Sequence, residues 1–261
     1  MTPTDSATSP SAPVWSLPIR GPEYQRAPAE LLKSLENVSS ATACSLMASF
    51  GIRHSFVNGP RALAPGQHMV GSALTLQFMP RREDIGSGEK QEYTEQRTAL
   101  WGALESVSPG DVLVVQAYGS TTTGCIGDML ARYLRLQGGV GIVVDGCVRD
   151  SGKILAMGVP VWARGATPHF ASQSELFPWA YDVPIACAGV LVIPGDIVVA
   201  DSDGAVVIPQ AFAERVVESA LAKEDSETFG RERLDAGGAL RDYYPLSERA
   251  KEEFAMWKQN R

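Results

Sequence analysis

A strand, a turn, a helix and a second strand follow one another between residues 109 and 144, and this unit constrains the fold most. Val112 to Gln116 is a largely apolar run of strand length, and Val140 to Val144 is another. Between them, Ile126 to Leu136 has helical spacing and is closed by Gly138-Gly139. Strands joined through a helix are parallel, and continuous Val and Ile runs are typical of strands covered on both faces. We therefore predict a βαβ unit, with functional side chains at the carboxyl ends of its strands.

Helices and strands also alternate before this unit. Pro28 to Phe50 has the pattern of two helices, the second capped by Ser39-Ser40. His68 to Met79 predicts a strand, and Gln91 to Ser106 predicts a helix. Together with the βαβ unit, these elements indicate an α/β domain.

Beyond Lys153 short strands replace this alternation. We expect strands at Val190 to Ile193, Ile197 to Ala200 and Ala205 to Ile208. The last two are joined by Asp201-Ser202-Asp203-Gly204, which faintly resembles a calcium loop but lacks its later ligands. A plain hairpin turn is the preferred interpretation.

The chain ends in polar helical segments. Gln210 to about Asp235 predicts a long charged helix, and Ser247 to Lys258 an amphipathic one. Such an arm is too polar for a core and suits a subunit contact. We expect a disordered tail at 1–27, a globular domain at 28–209 and a helical arm at 210–261.

Composition excludes several classes of function. The net charge is −7, and no stripe of Lys and Arg is present, which argues against nucleic-acid binding. No apolar run approaches the roughly 20 residues that a membrane span needs. The Ser- and Pro-rich start lacks the order of a secretory signal, and the four cysteines are scattered. We expect a soluble cytoplasmic protein with free thiols.

The βαβ unit brings together a possible site for a small oxyacid. Asp128 follows Gly127 at a predicted helix start, and twenty residues, 129–148, separate it from Arg149-Asp150. Taken singly, Asp128 could be only a helix cap, and Arg149-Asp150 only an exposed ion pair. Together, helix N–H groups and a forked guanidinium bind an anion, while a carboxylate holds a hard divalent cation. Three histidines lie too far apart in the sequence to favour a three-His site, so we expect oxygen ligands.

These residues resemble a known family, the class II pyruvate aldolases that include 4-hydroxy-4-methyl-2-oxoglutarate aldolase and the RraA-like proteins. Asp128, twenty residues and then Arg149-Asp150 reproduce the family signature. The segments 160–165, 195–201 and 38–42 resemble its later strands and first helix, so the resemblance spans about Leu31 to Pro209. It implies an RraA-like α/β/β/α sandwich with a central βαβ unit.

The resemblance also implies a reaction. A 4-hydroxy-2-oxo acid would be cleaved to pyruvate and a second carbonyl product, with oxaloacetate decarboxylation as a side activity and without a Schiff base. Mg²⁺ or Mn²⁺ would be held by Asp150 directly and by Asp128 through a water. Arg149 would bind the substrate with the amides of Cys125, Ile126, Gly127, Asp128 and Met129.

Other features are implied more loosely. An acidic residue from the arm of a neighbouring subunit would assist as base; Glu224 is the first candidate and Glu227 the second, although a solvated helix face also explains both. We expect a homotrimer or homohexamer. Lys153 is interpreted as a surface lysine, and Gln116, Tyr118 and Met129 as departures from the family that could line the pocket. The alternative function is an RraA-like regulator that binds an RNA-degrading enzyme without catalysis.

Overall fold

Strands make up the centre of the molecule. The structure is a computed structural model that describes residues 17–82, 98–171 and 175–259. The strands are β1 (Ile19–Arg20), β2 (Phe56–Val57), β3 (Arg61–Ala62), β4 (Met69–Pro80), β5 (Asp111–Gly124), β6 (Gly141–Val148), β7 (Val161–Ala163), β8 (Gly165–Ala166), β9 (Leu176–Tyr181), β10 (Ile185–Cys187), β11 (Val190–Val192), β12 (Ile197–Ala200) and β13 (Ala205–Ile208).

Helices surround the strands and form the carboxyl-terminal arm. They are α1 (Ala29–Leu35), α2 (Ser40–Ser49), α3 (Ala99–Glu105), α4 (Asp128–Leu136), α5 (Ser151–Ala156), α6 (Ala213–Asp235), α7 (Leu240–Tyr243) and α8 (Glu248–Gln259), with a short 3-10 turn (Gln210–Phe212) before α6.

The predicted βαβ unit is confirmed. Strands β5 and β6 pair in parallel, with Val114 opposite Val143, and α4 lies between them in the chain. All eight residues of β6 are buried, as expected for a strand covered on both faces. Parallel pairing also joins β4 to β5 and β6 to β7. The carboxyl ends of β5 and β6 therefore lie at the same edge of the sheet.

Antiparallel strands extend and curl this parallel centre. The order across the described sheet is β2-β13-β12-β4-β5-β6-β7-β3, and β9 pairs with β4. The predicted β12–β13 hairpin is confirmed, with Ala200 opposite Ala205. Its turn is structural, because the Asp201 carboxylate accepts hydrogen bonds from the backbone N–H and hydroxyl of Ser40, at 2.7 and 2.6 Å, and from Asp203 N at 2.9 Å.

Three hydrophobic clusters lie between the curled sheet and the elements that pack against it. One lies between β4–β7 and the helices α3, α4 and α5. The second lies inside the curl, where β10 and β11 face the central strands. The third lies between β12 and β13 and the helices α1, α2 and α6. The mixed α/β sandwich that the resemblance implied is thus observed.

Two predicted regions differ in detail. Residues 17–27, expected to belong to the disordered tail, include β1, which pairs with β9 through Ile19 and Ala180. Residues 1–16 and the predicted helical start at 91–97 lie outside the described residues. Nowhere in the described part of the chain is a helix both long and apolar enough to span a membrane.

The expectation that the carboxyl-terminal arm is too polar for a core is wrong. Phe229 is completely buried there, with its ring centroid 6.0 Å from that of Tyr243, 5.5 Å from Phe254 and 5.7 Å from Trp257. These aromatic side chains come from α6, α7 and α8, which are individually polar. The arm therefore folds around a small aromatic cluster of its own, next to the helices α1 and α2 that α6 also contacts.

Candidate active site

Backbone hydrogen bonds hold the predicted site segments together. Cys125 N donates to Cys147 O at 2.9 Å, and Arg149 N donates to Ile126 O at 3.0 Å. These two bonds continue the pairing of β5 with β6 beyond the end of the strands. As a result, the start of α4 at Asp128 lies beside the segment Arg149-Asp150, as the sequence predicts.

Four charged side chains meet at this point. Arg149 Nε lies 3.1 Å from Asp150 Oδ2. Lys153 Nζ lies 3.3 Å from Asp128 Oδ2 and 3.6 Å from Asp150 Oδ1. The two carboxylates are 23% and 29% exposed, whereas Lys153 is 69% exposed. The cluster is therefore open to solvent on the lysine side and accessible to a small charged ligand.

Asp150 has an unusual backbone conformation. Its φ of 53° and ψ of 31° are left-handed, which is uncommon for residues other than glycine, although Asp tolerates it better than most. Asp150 precedes α5 directly, and its carbonyl accepts a hydrogen bond from Lys153 N at 2.9 Å. This sharp turn directs the chain from β6 into α5 and keeps Lys153 within one helical turn of Asp150. Strained positions of this kind concentrate at functional sites.

Glycines allow the segments to approach closely. A Cβ on Gly127 would lie 2.8 Å from Arg149 Nε and 3.2 Å from Asp150 Oδ2. A Cβ on Gly124 would overlap the carbonyl oxygen of His169 and would lie 3.1 Å from the Cβ of Arg149. The first position leaves room for the charged side chains. The second lets the segment that carries His169 pack on the end of β5.

Electrostatics couple Lys153 with Asp128. Desolvation by burial acts to raise the pKa of Asp128, but contact with the Lys153 ammonium, together with Met129 N–H and Arg149, lowers this pKa overall. The pKa of Lys153 is raised, first by its contact with Asp128 and then by Asp150. Both shifts favour the charged forms of Asp128 and Lys153.

Comparison with known proteins identifies the family. The family described as RraA-like, Aldolase/RraA, matches residues 37–207. This chain belongs to the RraA-like family. The match covers most of the globular domain predicted at 28–209 and leaves out the whole helical arm predicted at 210–261.

The proteins that this chain resembles carry different kinds of name. A protein of Halalkalibacterium halodurans named "Putative 4-hydroxy-4-methyl-2-oxoglutarate aldolase" is 34% identical over 184 residues, which cover 70% of this chain and 80% of that protein. The crystal structure of Streptomyces coelicolor RraAS2, described as "an unusual member of the RNase ES inhibitor RraA protein family", is 56% identical and has a TM-score of 0.74, covering 80% of this chain and 99% of that one. A protein from Pseudomonas syringae has a TM-score of 0.71 at 27% identity, covering 90% of this chain and 98% of that one. The fold of the RraA-like family is therefore shared over most of the chain.

The donor set at the site suits a hard divalent cation. Asp128 and Asp150 supply carboxylate oxygens, and Mg²⁺ needs only one or two protein carboxylates because it keeps several waters. No group of three or more His, Cys, Asp or Glu side chains is placed to hold a metal ion in residues 17–82, 98–171 and 175–259. Carboxylate oxygens are ligands that suit Mg²⁺ or Mn²⁺, and binding of either metal stays a prediction.

The set of backbone amides predicted to bind an anion, from Cys125 to Met129, is smaller than expected. The N–H of Cys125 already donates to Cys147 O, so this amide is occupied, while the contacts predicted for the amides of Ile126, Gly127, Asp128 and Met129 stay predictions. Three residues of this set lie at the start of α4: Gly127, which is the N-cap of the helix, and then Asp128 and Met129. An anion would be bound there by the amides of the first helical turn.

The residues that depart from the family pattern lie in different places. Gln116 is buried, and its Oε1 accepts a hydrogen bond from Ala186 N at 2.9 Å, so it anchors β10. Tyr118 is exposed, with its hydroxyl 3.1 Å from Met79 Sδ. Met129 is 71% exposed beside Asp128. Met129 is therefore the departure that lies directly at the site.

Glu224 lies on the exposed surface of α6. Its Oε1 lies 2.6 Å from Arg231 Nη2 and 3.4 Å from the hydroxyl of Thr228, and its side chain is 66% exposed. Glu227 also pairs with Arg231, at 3.7 Å. The solvated-face interpretation agrees with the position of Glu224, whereas Glu227 is partly buried, with 26% of its side chain exposed. A role for Glu224 in the site of a neighbouring subunit stays a prediction.

Sequence reasoning missed two side chains at the cluster, those of Lys153 and Phe170, and the approach of the His169 backbone to the end of β5. Lys153 is exposed, as predicted, but its ammonium also contacts both carboxylates. The Phe170 ring centroid lies 5.9 Å from the Cζ of Arg149. His169 Nδ1 lies 3.2 Å from the carbonyl oxygen of Thr122. The spacing of Lys153 three residues after Asp150 was the available signal for the lysine, whereas nothing in the sequence indicates that residues 169 and 170 lie beside Arg149.

Proposed function

We propose that this RraA-like protein is a divalent-metal-dependent carbon–carbon lyase. Its substrate would be a 4-hydroxy-2-oxo acid of the 4-hydroxy-4-methyl-2-oxoglutarate type, cleaved to pyruvate and a second carbonyl compound. The observation that supports this proposal is the convergence of Asp128, Arg149 and Asp150 at the carboxyl ends of β5 and β6. A relative named as such an aldolase, 34% identical to this chain, supports it as well.

Arg149 is the proposed anchor for the substrate. Its Nε pairs with Asp150, which orients the guanidinium, and the Phe170 ring lies near the same group. The two Nη groups form a planar fork that suits the oxygens of a 2-oxo acid. A positive charge fixed beside the 2-oxo group also stabilises the negative charge that develops there when the bond from C3 to C4 breaks.

Asp150 and Asp128 are the proposed metal-binding residues, Asp150 directly and Asp128 through a water. A bound Mg²⁺ or Mn²⁺ would polarise the 2-oxo group. Asp150 also pairs with Arg149, so one carboxylate places the metal site and the anchor side by side. The side chain of Lys153 has to share both carboxylates with such a cation.

Cleavage also requires that the proton of the 4-hydroxyl be removed. The electron pair of the C3–C4 bond then forms a pyruvate enolate, which takes up a proton at C3. Decarboxylation of oxaloacetate leaves the same enolate and needs no base for a hydroxyl. Glu224 of a neighbouring copy remains the candidate base, and the two substrates separate its contribution from that of Arg149.

The deciding experiment measures pyruvate release from 4-hydroxy-4-methyl-2-oxoglutarate and from oxaloacetate. We expect turnover of both with Mg²⁺ or Mn²⁺ and none after treatment with EDTA. Restoration by added Mg²⁺ is the control for damage by the chelator. Full activity in EDTA would contradict the metal dependence, and no pyruvate from either substrate would contradict the lyase.

A second candidate function is a protein-binding regulator of an RNA-degrading enzyme. It is favoured by the 56% identity to a structure from Streptomyces coelicolor described as a member of an RNase ES inhibitor family. The same purified protein can be tested for inhibition of an RNase E-type nuclease. Inhibition that persists when Arg149→Ala has removed pyruvate release would show that the two functions are separate.

A further inference from the structure

The Lys153 ammonium lies between the two carboxylates that are the proposed metal ligands. It is 3.3 Å from Asp128 Oδ2 and 3.6 Å from Asp150 Oδ1. Asp128 begins α4, whereas Asp150 precedes α5, so one lysine bridges the starts of two helices. A divalent cation held by the same oxygens would have to share them with a charge fixed on the chain.

We infer that Lys153 is a tethered cation that sets the affinity of the site for its divalent metal by competing for Asp128 and Asp150. This inference rests on the proposed metal site. Binding of Mg²⁺ requires that the ammonium move away from at least one carboxylate, because two cations repel each other at such short range. The site then binds Mg²⁺ more weakly than the carboxylates alone would.

The geometry around Lys153 permits this movement. Its side chain is 69% exposed, and its four-carbon stem allows the ammonium to turn into water without a change in α5. Arg149, by contrast, pairs with one of the two carboxylates, since its Nε lies 3.1 Å from Asp150. Arg149 is the proposed substrate anchor.

The size of the effect follows from the strength of the two contacts. Exposed ion pairs are weak, and two of them together correspond to roughly 2- to 30-fold in an equilibrium constant. Lys153→Met removes the charge and keeps most of the side-chain length. We therefore expect Lys153→Met to bind Mg²⁺ about 2- to 30-fold more tightly than the wild type, whereas Lys153→Arg, which keeps the charge, should stay near the wild-type affinity.

The test is calorimetric titration of the chelator-treated full chain with MgCl₂, independent of turnover. Lys223→Met is the matched control, because Lys223 also pairs with a carboxylate, Glu227 at 3.7 Å, but on α6. Tighter binding by Lys153→Met alone supports the inference. Equal or weaker binding by Lys153→Met, the same gain in Lys223→Met, or no Mg²⁺ binding by any variant overturns it.

The inference and the proposed function fail in different ways. If Lys153→Met binds Mg²⁺ more tightly but no variant releases pyruvate, the inference about Lys153 is supported and the proposed lyase function is contradicted. If pyruvate release is normal and the Mg²⁺ affinity of Lys153→Met is unchanged, the proposed lyase function is supported and the inference about Lys153 is contradicted. A rise in the KM for oxaloacetate without a change in Mg²⁺ affinity would identify Lys153 as a substrate contact and so overturn the inference.

Discussion

Gly127 lies so close to Arg149 that a methyl group on its Cα would be 2.8 Å from Nε and 3.1 Å from Cγ of the arginine. The φ of Gly127, −115°, is open to any residue, so Gly127→Ala should leave the backbone intact. The arginine must then move, and misplacement of about 1 Å at a reacting group can cost about 100-fold in rate. We expect pyruvate release to fall at least 10-fold, measured beside a melting temperature within a few degrees of the wild type.

Gly152→Ala is the matched control for this change. Gly152 lies on α5 near the same cluster, but a Cβ there would meet nothing within 4 Å. Both activity and melting temperature should be preserved. If Gly127→Ala keeps full activity, the side chain of Arg149 is not held in a catalytic position.

The convergence of Asp128 with Arg149-Asp150 could be predicted because it follows from strand order alone. Parallel strands joined through a helix end at the same edge, so residues that follow β5 and β6 had to meet. The aromatic cluster around Phe229 could not be predicted in this way, because Tyr243 and Trp257 contribute to it from separate polar helices. Helical spacing indicates which face of a helix is apolar but not which other helix packs against that face.

The presence of residues 169 and 170 near the site also could not be predicted from the sequence. Strand β9 pairs with β4 and with β1, which are far from it in the chain. The backbone of His169 lies near Gly124, and the ring of Phe170 lies near Arg149. Pro178 within β9 further weakens its pattern as a strand. Such long-range pairing has no local signature. Contacts of Lys153 were missed for a different reason, since a long exposed side chain has many possible partners.

Metal binding should depend unequally on the two carboxylates. Asp150→Ala removes the proposed direct ligand and should abolish Mg²⁺ binding. Asp128→Ala removes a partner that acts through water and should weaken binding by about 10- to 100-fold. Calorimetric titration with MgCl₂ measures both changes. Small and equal effects would mean that the acidic residues of the motif have a structural role.

Assembly is predicted from the family and from the exposed apolar residues of the arm. We expect a homotrimer or homohexamer by light scattering. Leu240 on α7 is 64% exposed, so Leu240→Glu should reduce the mass of the particle without unfolding the arm, whose own core is formed by Phe229 and its neighbours. Leu191→Glu, at an equally exposed position on β11, is the comparison. A monomeric wild type would count against Glu224 as a base from a neighbouring subunit.

A buried carboxylate should make the stability of this protein depend on pH. Burial raises the pKa of Asp182 above its ordinary value, and Arg20, Arg26 and Tyr24 offset this only in part. The folded state therefore keeps a proton that the unfolded state has already released, so the contribution of Asp182 to stability is lost as the pH rises from the ordinary value through the folded pKa. Asp182→Asn cannot titrate and suits the left-handed backbone there, at φ 55°. We expect the melting temperature of Asp182→Asn to increase relative to that of the wild type as the pH rises from 4 to 7.

The pH series distinguishes this effect from a general change in stability. A constant difference between Asp182→Asn and the wild type at every pH would mean that Asp182 does not titrate differently in the two states. Asp203→Asn, on the exposed β12–β13 turn, provides the reference for an acidic residue at the surface. Its melting curve should follow that of the wild type across the series.

Arg149→Lys should be far more damaging than its conservative charge suggests. The lysine keeps the positive charge but cannot donate two parallel hydrogen bonds, and a shorter reach would also weaken the contact with Asp150. Loss of one charge-assisted contact to a reacting oxyanion typically costs about 2.7–4 kcal/mol, or roughly 100- to 1,000-fold in rate. Arg149 is 39% exposed and contributes little to the core, so the melting temperature should hardly change. Pyruvate release from oxaloacetate and from 4-hydroxy-4-methyl-2-oxoglutarate should fall together, because both reactions develop the same enolate. A folded variant that keeps more than about a third of the wild-type rate with both substrates, a loss below about 1 kcal/mol, would show that the substrate is anchored elsewhere.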